Sequence, residues 1–305
     1  MTSRVDLEAP LTDPASFTLL QDLSGALAGL VAGAAPAVVS VHSHQSHSSG
    51  FVWRPGLIVT ADEALADEGN VAVGFPGGGT LPARVAGRDP TTDIALLRIE
   101  RADVSPAALN RAEIATGAVA VVVGAEDEGP TAAFGVVSYL SGPWRSMRGG
   151  EIDARLELAI ALRQRAEGGL ALDAGGRPFG MAVFGPRRRV LVIPTATIER
   201  VAARLETHGH IARGYLGLGL QPVAVDGGDG SGAMVMSVDP KGPGALAGVH
   251  QGDIIITWNG EPIRHLRSVL RALGADSVGR QITLGLRRAG ESQQVSLTIG
   301  ERPLT

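Results

Sequence analysis

Short apolar runs punctuated by glycine and proline dominate the first two hundred residues, and helical periodicity is rare there. Runs at residues 37–42, 50–53, 57–60, 71–75, 80–87 and 94–99 each have the length of a strand. Pro55-Gly56 marks the turn between two of them. A second set follows at residues 118–123, 132–141, 156–159, 170–172, 179–184 and 190–193. Strands this short, evenly spaced and bounded by turn residues, predict closed β-barrels. Two segments carry helical spacing instead. Leu27, Leu30 and Val31 place a short helix over residues 23–35, and residues 198–208 form an amphipathic helix that closes the unit.

From Gly214 the pattern changes. A glycine-rich strand at 214–220 is followed by a strand at 233–238 and the small-residue run Gly242–Val249. Then comes Gly252-Asp253-Ile254-Ile255-Ile256-Thr257-Trp258-Asn259-Gly260, whose last pair is the strongest short-range signal for a type I′ hairpin turn. Leu266, Val269, Leu270 and Leu273 share one face of the helix after it. The predicted organisation is a leader over residues 1–22, a β unit over 23–210 and a separate unit over 212–303.

At 305 residues the chain can bury two or three cores. Hydrophobic residues at 44% against 19% charged make it globular, and 42 glycines, about twice ordinary usage, fit many tight turns. A net charge of −4 gives no electrostatic case for nucleic acid. Lys241 is the only lysine, and the absence of cysteine excludes disulfides and thiol catalysis. Asp6, Glu8 and Asp13 precede the first apolar run, where a secretory signal needs basic residues, so a cytoplasmic location is predicted. No stretch of 18 purely apolar residues exists, which predicts no membrane span. His42, His44 and His47 fall within six residues, a spacing open to a metal site or to a solvated hairpin loop. Their serine-rich surroundings lack an acidic or cysteine partner, so no metal or cofactor is expected.

The run Arg165-Ala166-Glu167-Gly168-Gly169-Leu170-Ala171-Leu172, continuing through a Gly-rich hairpin to Val183, resembles the nucleophile loop of HtrA (DegP, DegS) proteases. In that family Gly-Asn-Ser-Gly-Gly-Pro-Leu leads into the same strand, hairpin and strand. The position matching the serine is Glu167. Asp89-Pro90-Thr91-Thr92-Asp93-Ile94-Ala95-Leu96-Leu97 matches the family's aspartate segment nearly letter for letter and makes Asp93 the retained member. Val59–Leu65 matches the histidine segment and puts Glu63 at the histidine. The resemblance implies a mostly β fold: a trypsin-like double barrel with its site in the cleft, then one PDZ domain.

A serine protease needs a nucleophile, a base and a carboxylate that orients the base. With Glu63 and Glu167 in two of those roles, the expectation is a catalytically inactive scaffold, adaptor or chaperone-like factor acting through its PDZ domain. The alternative is an active HtrA-like serine endopeptidase or other hydrolase with a rearranged site. Three readings of Glu63, Asp93 and Glu167 stay open. One has loop rearrangement separating them, with Arg163 or Arg165 neutralising Glu167. A second has them sharing protons, and a third has them binding a hard cation or using a raised-pKa acid for hydrolysis. The short loop with Arg187, Arg188 and Arg189 reads as an acidic-partner contact or as a solvated hairpin tip.

The family's PDZ domains add a peptide C-terminus as an extra strand and capture its carboxylate on backbone N–H groups. Tyr215, Leu216, Gly217 and Leu218 match that loop, and Leu266, Val269 and Leu270 would line the pocket or simply close the core. Expected partners are peptide or protein C-termini with an apolar last residue. A homo-oligomer, or a hetero-oligomer with an active relative, is also open. The family's usual place in the bacterial envelope makes the periplasm the alternative location.

Overall fold

The computed structural model describes residues 14–44, 46–66, 69–75, 78–109, 113–225, 230–274 and 277–303. Residues 1–13 of the expected leader lie outside the described residues. The chain forms two compact units. One comprises residues 1–86, 93–142 and 153–202, and the other residues 87–92, 143–152 and 203–305.

Helix α1 (Pro14–Ala34) is longer than the 23–35 segment read from periodicity, and it starts on a proline, whose fixed φ suits a first helical turn. Leu19 and Leu20 on it are largely exposed. The window Thr18–Ala37 is long and apolar enough to cross a bilayer by length and composition, and none of it is buried. A signal sequence meets the same test, so the helix does not by itself decide for or against a membrane span. Scattered threonine, glutamine, aspartate and serine residues break a purely apolar count without lowering the average enough.

Six strands follow: β1 (Val38–Ser43), β2 (Ser46–Arg54), β3 (Leu57–Thr60), β4 (Val71–Gly74), β5 (Thr80–Asp89) and β6 (Ile94–Arg98). They close in the order β1-β2-β3-β6-β5-β4, so no edge is left unpaired. Val39, Val41, Val52, Ile58, Val73, Ala95 and Leu97 are buried together in its core. Next come β7 (Val119–Glu126), β8 (Gly129–Ser141), the short hairpin β9 (Trp144–Arg145) and β10 (Glu151–Ile152), then β11 (Arg155–Ala159), β12 (Leu170–Leu172), β13 (Pro178–Phe184) and β14 (Val190–Pro194). The second barrel runs β11-β14-β13-β12-β7-β8, and helix α2 (Thr195–His208) follows it. Two six-stranded barrels are therefore present, as the resemblance implied.

The other unit carries β15 (Gly214–Tyr215), β16 (Leu218–Val225), β17 (Gly230–Val238), α3 (Pro243–Leu246), β18 (Ile254–Trp258), β19 (Glu261–Pro262), α4 (Leu266–Ala272), β20 (Gln281–Arg288), β21 (Glu291–Thr298) and β22 (Gly300–Glu301). Its main sheet is ordered β16-β17-β18-β20-β21, which leaves β16 at an edge. Asn259 and Gly260 join β18 to β19 with φ of 50° and 85°, the paired positive values a type I′ turn requires. Asp253, buried beside β18, takes two Arg288 N–H groups at 2.7 Å and the His250 N–H at 2.8 Å.

Candidate functional site

The loop entering β12 is fixed by its backbone. A single 3-10 turn, Gln164–Ala166, precedes Glu167, and the Glu167 N–H donates to the Gln164 carbonyl at 3.1 Å. Ser49 anchors this loop to β2 twice. Its N–H donates to the Glu167 carbonyl at 2.8 Å, and its hydroxyl donates to the Arg165 carbonyl at 2.7 Å. Gly168 sits at φ +85°, where a Cβ would run into the Ser49 carbonyl, so only glycine fits without strain. That constraint explains the Glu-Gly-Gly sequence. It also sends the Glu167 side chain inward, where it is only 4% exposed.

Both carboxylate oxygens of Glu167 accept hydrogen bonds. Oε1 receives the Phe184 N–H at 3.1 Å and Oε2 the Gln164 side-chain N–H at 3.0 Å. Burial pushes its pKa up. The Phe184 N–H lowers it, the Glu63 charge raises it and the Arg188 charge lowers it.

Asp93 ends the turn into β6 with φ +58°, a left-handed conformation that costs a non-glycine residue on the order of 1 kcal/mol. Its Oδ1 accepts the Glu63 N–H at 2.7 Å. Burial pushes its pKa up to about 8. The Glu63 N–H opposes that rise, while the charges of Glu63, Glu167 and Asp62 add to it. Asp93 therefore carries a proton at pH 7. Of the three acids Glu63 is the exposed one. The three lie within electrostatic reach of one another, so loop rearrangement has not separated them. Arg163 and Arg165 do not neutralise Glu167. They pair with Glu126, at 3.6 and 3.0 Å.

His42 and His47 are cross-strand partners in the β1–β2 hairpin, not loop residues. Their rings meet edge to face at 4.7 Å, and His42 Nε2 lies 2.8 Å from Asp127 Oδ1. That acidic partner comes from the β7–β8 hairpin, 85 residues away, where local sequence could not reveal it. Among the described residues no group of three His, Cys, Asp or Glu side chains stands in metal-holding geometry.

In the other unit Gly217 has φ +73°, and a Cβ there would lie 2.7 Å from the Gly242 Cα. The Tyr215 hydroxyl donates to Asp239 Oδ2 at 2.8 Å, and the Asp239 N–H donates to the Gly217 carbonyl at 2.8 Å. Leu216 and Val269 are buried in the core, and Leu218 and Leu266 pack partly against it. Leu270 is 57% exposed. Of the seven residues expected at the peptide groove, two therefore belong to the core first.

Two closed six-stranded barrels followed by a sheet with a glycine turn at its edge define a trypsin-like double barrel with a C-terminal PDZ domain. The Trypsin-like peptidase domain family matches residues 48–181 and the PDZ domain family residues 214–299. The chain is 30% identical over 270 residues to "Probable periplasmic serine endoprotease DegP-like" of Bartonella henselae, covering 84% of this chain and 53% of the relative. The protein of the same name from Brucella suis is 30% identical over 275 residues, with 85% and 53% covered. The chain thus spans about half the length of the curated relatives it matches.

Among solved structures, the serine endoprotease from Yersinia pestis superposes with a TM-score of 0.69 at 26% identity, covering 91% of this chain and 98% of that one. The HtrA-type protease AlgW with a decapeptide gives 0.69 at 23% identity, covering 92% and 99%, and shows the fold alone. The chain is HtrA/DegP-like in fold and domain order.

These relatives correct two expectations. The inactive scaffold drawn from Glu63 and Glu167 is overturned because the relatives are named as serine endoproteases and HtrA-type proteases. The open alternative, an active endopeptidase or other hydrolase with a rearranged site, is better supported. The relatives' names also favour the periplasmic alternative over the cytoplasmic expectation.

Proposed function

We propose that the chain is a peptide hydrolase of HtrA/DegP type in which carboxyl groups take over acid–base chemistry at the site. The observation that carries this reading is Asp93, protonated near neutral pH beside the negative charges of Glu63 and Glu167. A neutral carboxylic acid and an ionised carboxylate in one site form an acid–base pair able to add water to an amide. Glu63, the exposed member, takes a proton from water as the oxygen bonds to the carbonyl carbon. Asp93 gives its proton toward the departing amine, and the products are a carboxylic acid and an amine. Glu167 touches no substrate in this scheme. Its charge adds to the burial and to the Glu63 charge that keep the proton on Asp93.

The PDZ domain supplies peptide binding. The AlgW structures are described with bound peptides, and β16 here is an edge strand beside the Gly217 turn, the arrangement strand addition needs. We assign Tyr215, Gly217 and Leu218 to the turn and strand edge, and Leu270 to the exposed side of α4. Leu216, Leu266 and Val269 support the groove from the core. Within this reading the protein works in the periplasm.

Fluorescent casein digestion tests the proposal. Product release that disappears in Asp93→Asn and survives a serine-directed fluorophosphonate probe supports it. No digestion by the unmodified chain overturns it.

A further inference from the structure

The five-residue loop between β13 and β14 was open to reading as a solvated tip, yet it is bound to the site. Arg188 Nη1 donates to Gln164 Oε1 at 3.0 Å, and Gln164 Nε2 donates to Glu167 Oε2 at 3.0 Å. Phe184, the last residue of β13 before this loop, holds Glu167 Oε1 with its N–H. The Arg188 guanidinium lies 4.4 Å above the Phe184 ring. Gln164 also accepts the Glu167 N–H through its backbone carbonyl. Glu167 is therefore gripped at its N–H and at both carboxylate oxygens, and every grip traces to Gln164 or to Phe184.

The grip is held against strain. Arg187 and Arg188 occupy consecutive left-handed conformations, with φ of 58° and 56°. Each costs on the order of 1 kcal/mol for a residue with a Cβ, and such strain persists where other contacts over-determine the geometry. Neighbouring arginines are committed elsewhere: Arg163 and Arg165 to Glu126, and Arg189 to Glu157 at 3.3 Å. Among the described residues, the Arg188 charge lowers the Glu167 pKa and the Glu63 charge raises it.

We propose that Gln164 and Arg188 are positioning residues that hold the Glu167 carboxylate ionised in the site it shares with Glu63, Asp62 and Asp93. The inference rests on the carboxyl-site reading above. Two donors and no acceptor at the Glu167 oxygens select the ionised form. An ionised Glu167 beside Asp93 disfavours a second negative charge there. Loss of either link lets Glu167 take up a proton and relieves Asp93.

The two carboxyls should consequently move in opposite directions, which loss of structural support alone would not produce. Side-chain carboxyl titrations by 13C NMR test this on the full chain, with resonances assigned by their loss in Glu167→Gln and Asp93→Asn. In Arg188→Met, an exposed position, and in Gln164→Leu, the Glu167 midpoint should rise by about half to one pH unit and the Asp93 midpoint should fall. Arg188→Lys, which keeps the charge, should shift them less. Unmoved midpoints, or midpoints that move together, overturn the proposal. If the shifts occur while casein stays intact, the relay stands and the hydrolase reading fails. Digestion without any shift sinks the relay alone.

Discussion

Two aspartates show how the same group is used in opposite ways in the two units. Asp253 in the PDZ unit is 1% exposed and meets Arg288 through both oxygens at 2.7 Å. Burial raises its pKa, but the Arg288 hydrogen bonds and the His250 N–H outweigh that, and the net direction is down. Burial also raises Asp93 in the barrel unit, but there one backbone N–H is all that opposes it while three acidic neighbours add to it, and its pKa rises to about 8. A buried carboxylate given an arginine is a brace. One given other acids is kept protonated, the state needed to donate a proton at neutral pH.

Breaking the brace should have the largest effect. Asp253→Ala removes the Arg288 pair and leaves Arg288 only the Gly248 carbonyl among the described residues, and should cost about 2–3 kcal/mol in urea unfolding of the PDZ unit. Because the folded pKa of Asp253 is lowered, its stabilisation is present above the ordinary carboxylate range. It is lost as pH falls through the folded value, so the gap between wild type and variant should shrink below about pH 4.

Asp93→Asn should act in the opposite sense. The folded chain keeps a proton that the unfolded chain releases between about pH 4 and pH 8, so wild-type stability declines across that window. The variant escapes the decline and should be more stable at pH 9 by on the order of a few kcal/mol, with no difference at pH 4. Equal melting temperatures at pH 9 would remove the contrast between the two aspartates.

The smallest expected effect is at the peptide groove. Peptides with a free apolar C-terminus should bind with micromolar affinity, and amidation should weaken them by about tenfold, roughly 1.4 kcal/mol. Leu270→Asp should weaken binding with the fold intact. Val269→Asp should unfold the unit, because Val269 is 1% exposed. Calorimetry separates the two outcomes.

Legibility in the sequence follows the same division. The barrels were readable because each strand is a short apolar run with a turn residue at its end. Gly168 and Asn259-Gly260 were readable because their positive-φ backbones favour glycine or asparagine. The β20–β21 hairpin was missed. Glu291-Ser292-Gln293-Gln294 opens β21 without an apolar residue, and Ala289-Gly290 makes a positive-φ turn without the usual asparagine or aspartate. Groove and core could not be told apart on α4, since Val269 and Leu270 are adjacent on one helix and only packing separates them. The carboxyl site was visible as three positions, but its electrostatics depends on Gln164, Phe184 and Arg188, which no motif connects.

Casein digestion by the wild-type chain and Asp93→Asn across pH 5 to 10 tests the central claim most directly. The wild type should digest casein with an alkaline limb near pH 8, where Asp93 loses its proton. Asp93→Asn, matched in shape but unable to donate that proton, should lose about a hundredfold or more. Wild-type digestion that rises through pH 8 without a break, or that Asp93→Asn leaves unchanged, would contradict a site run by carboxyl groups.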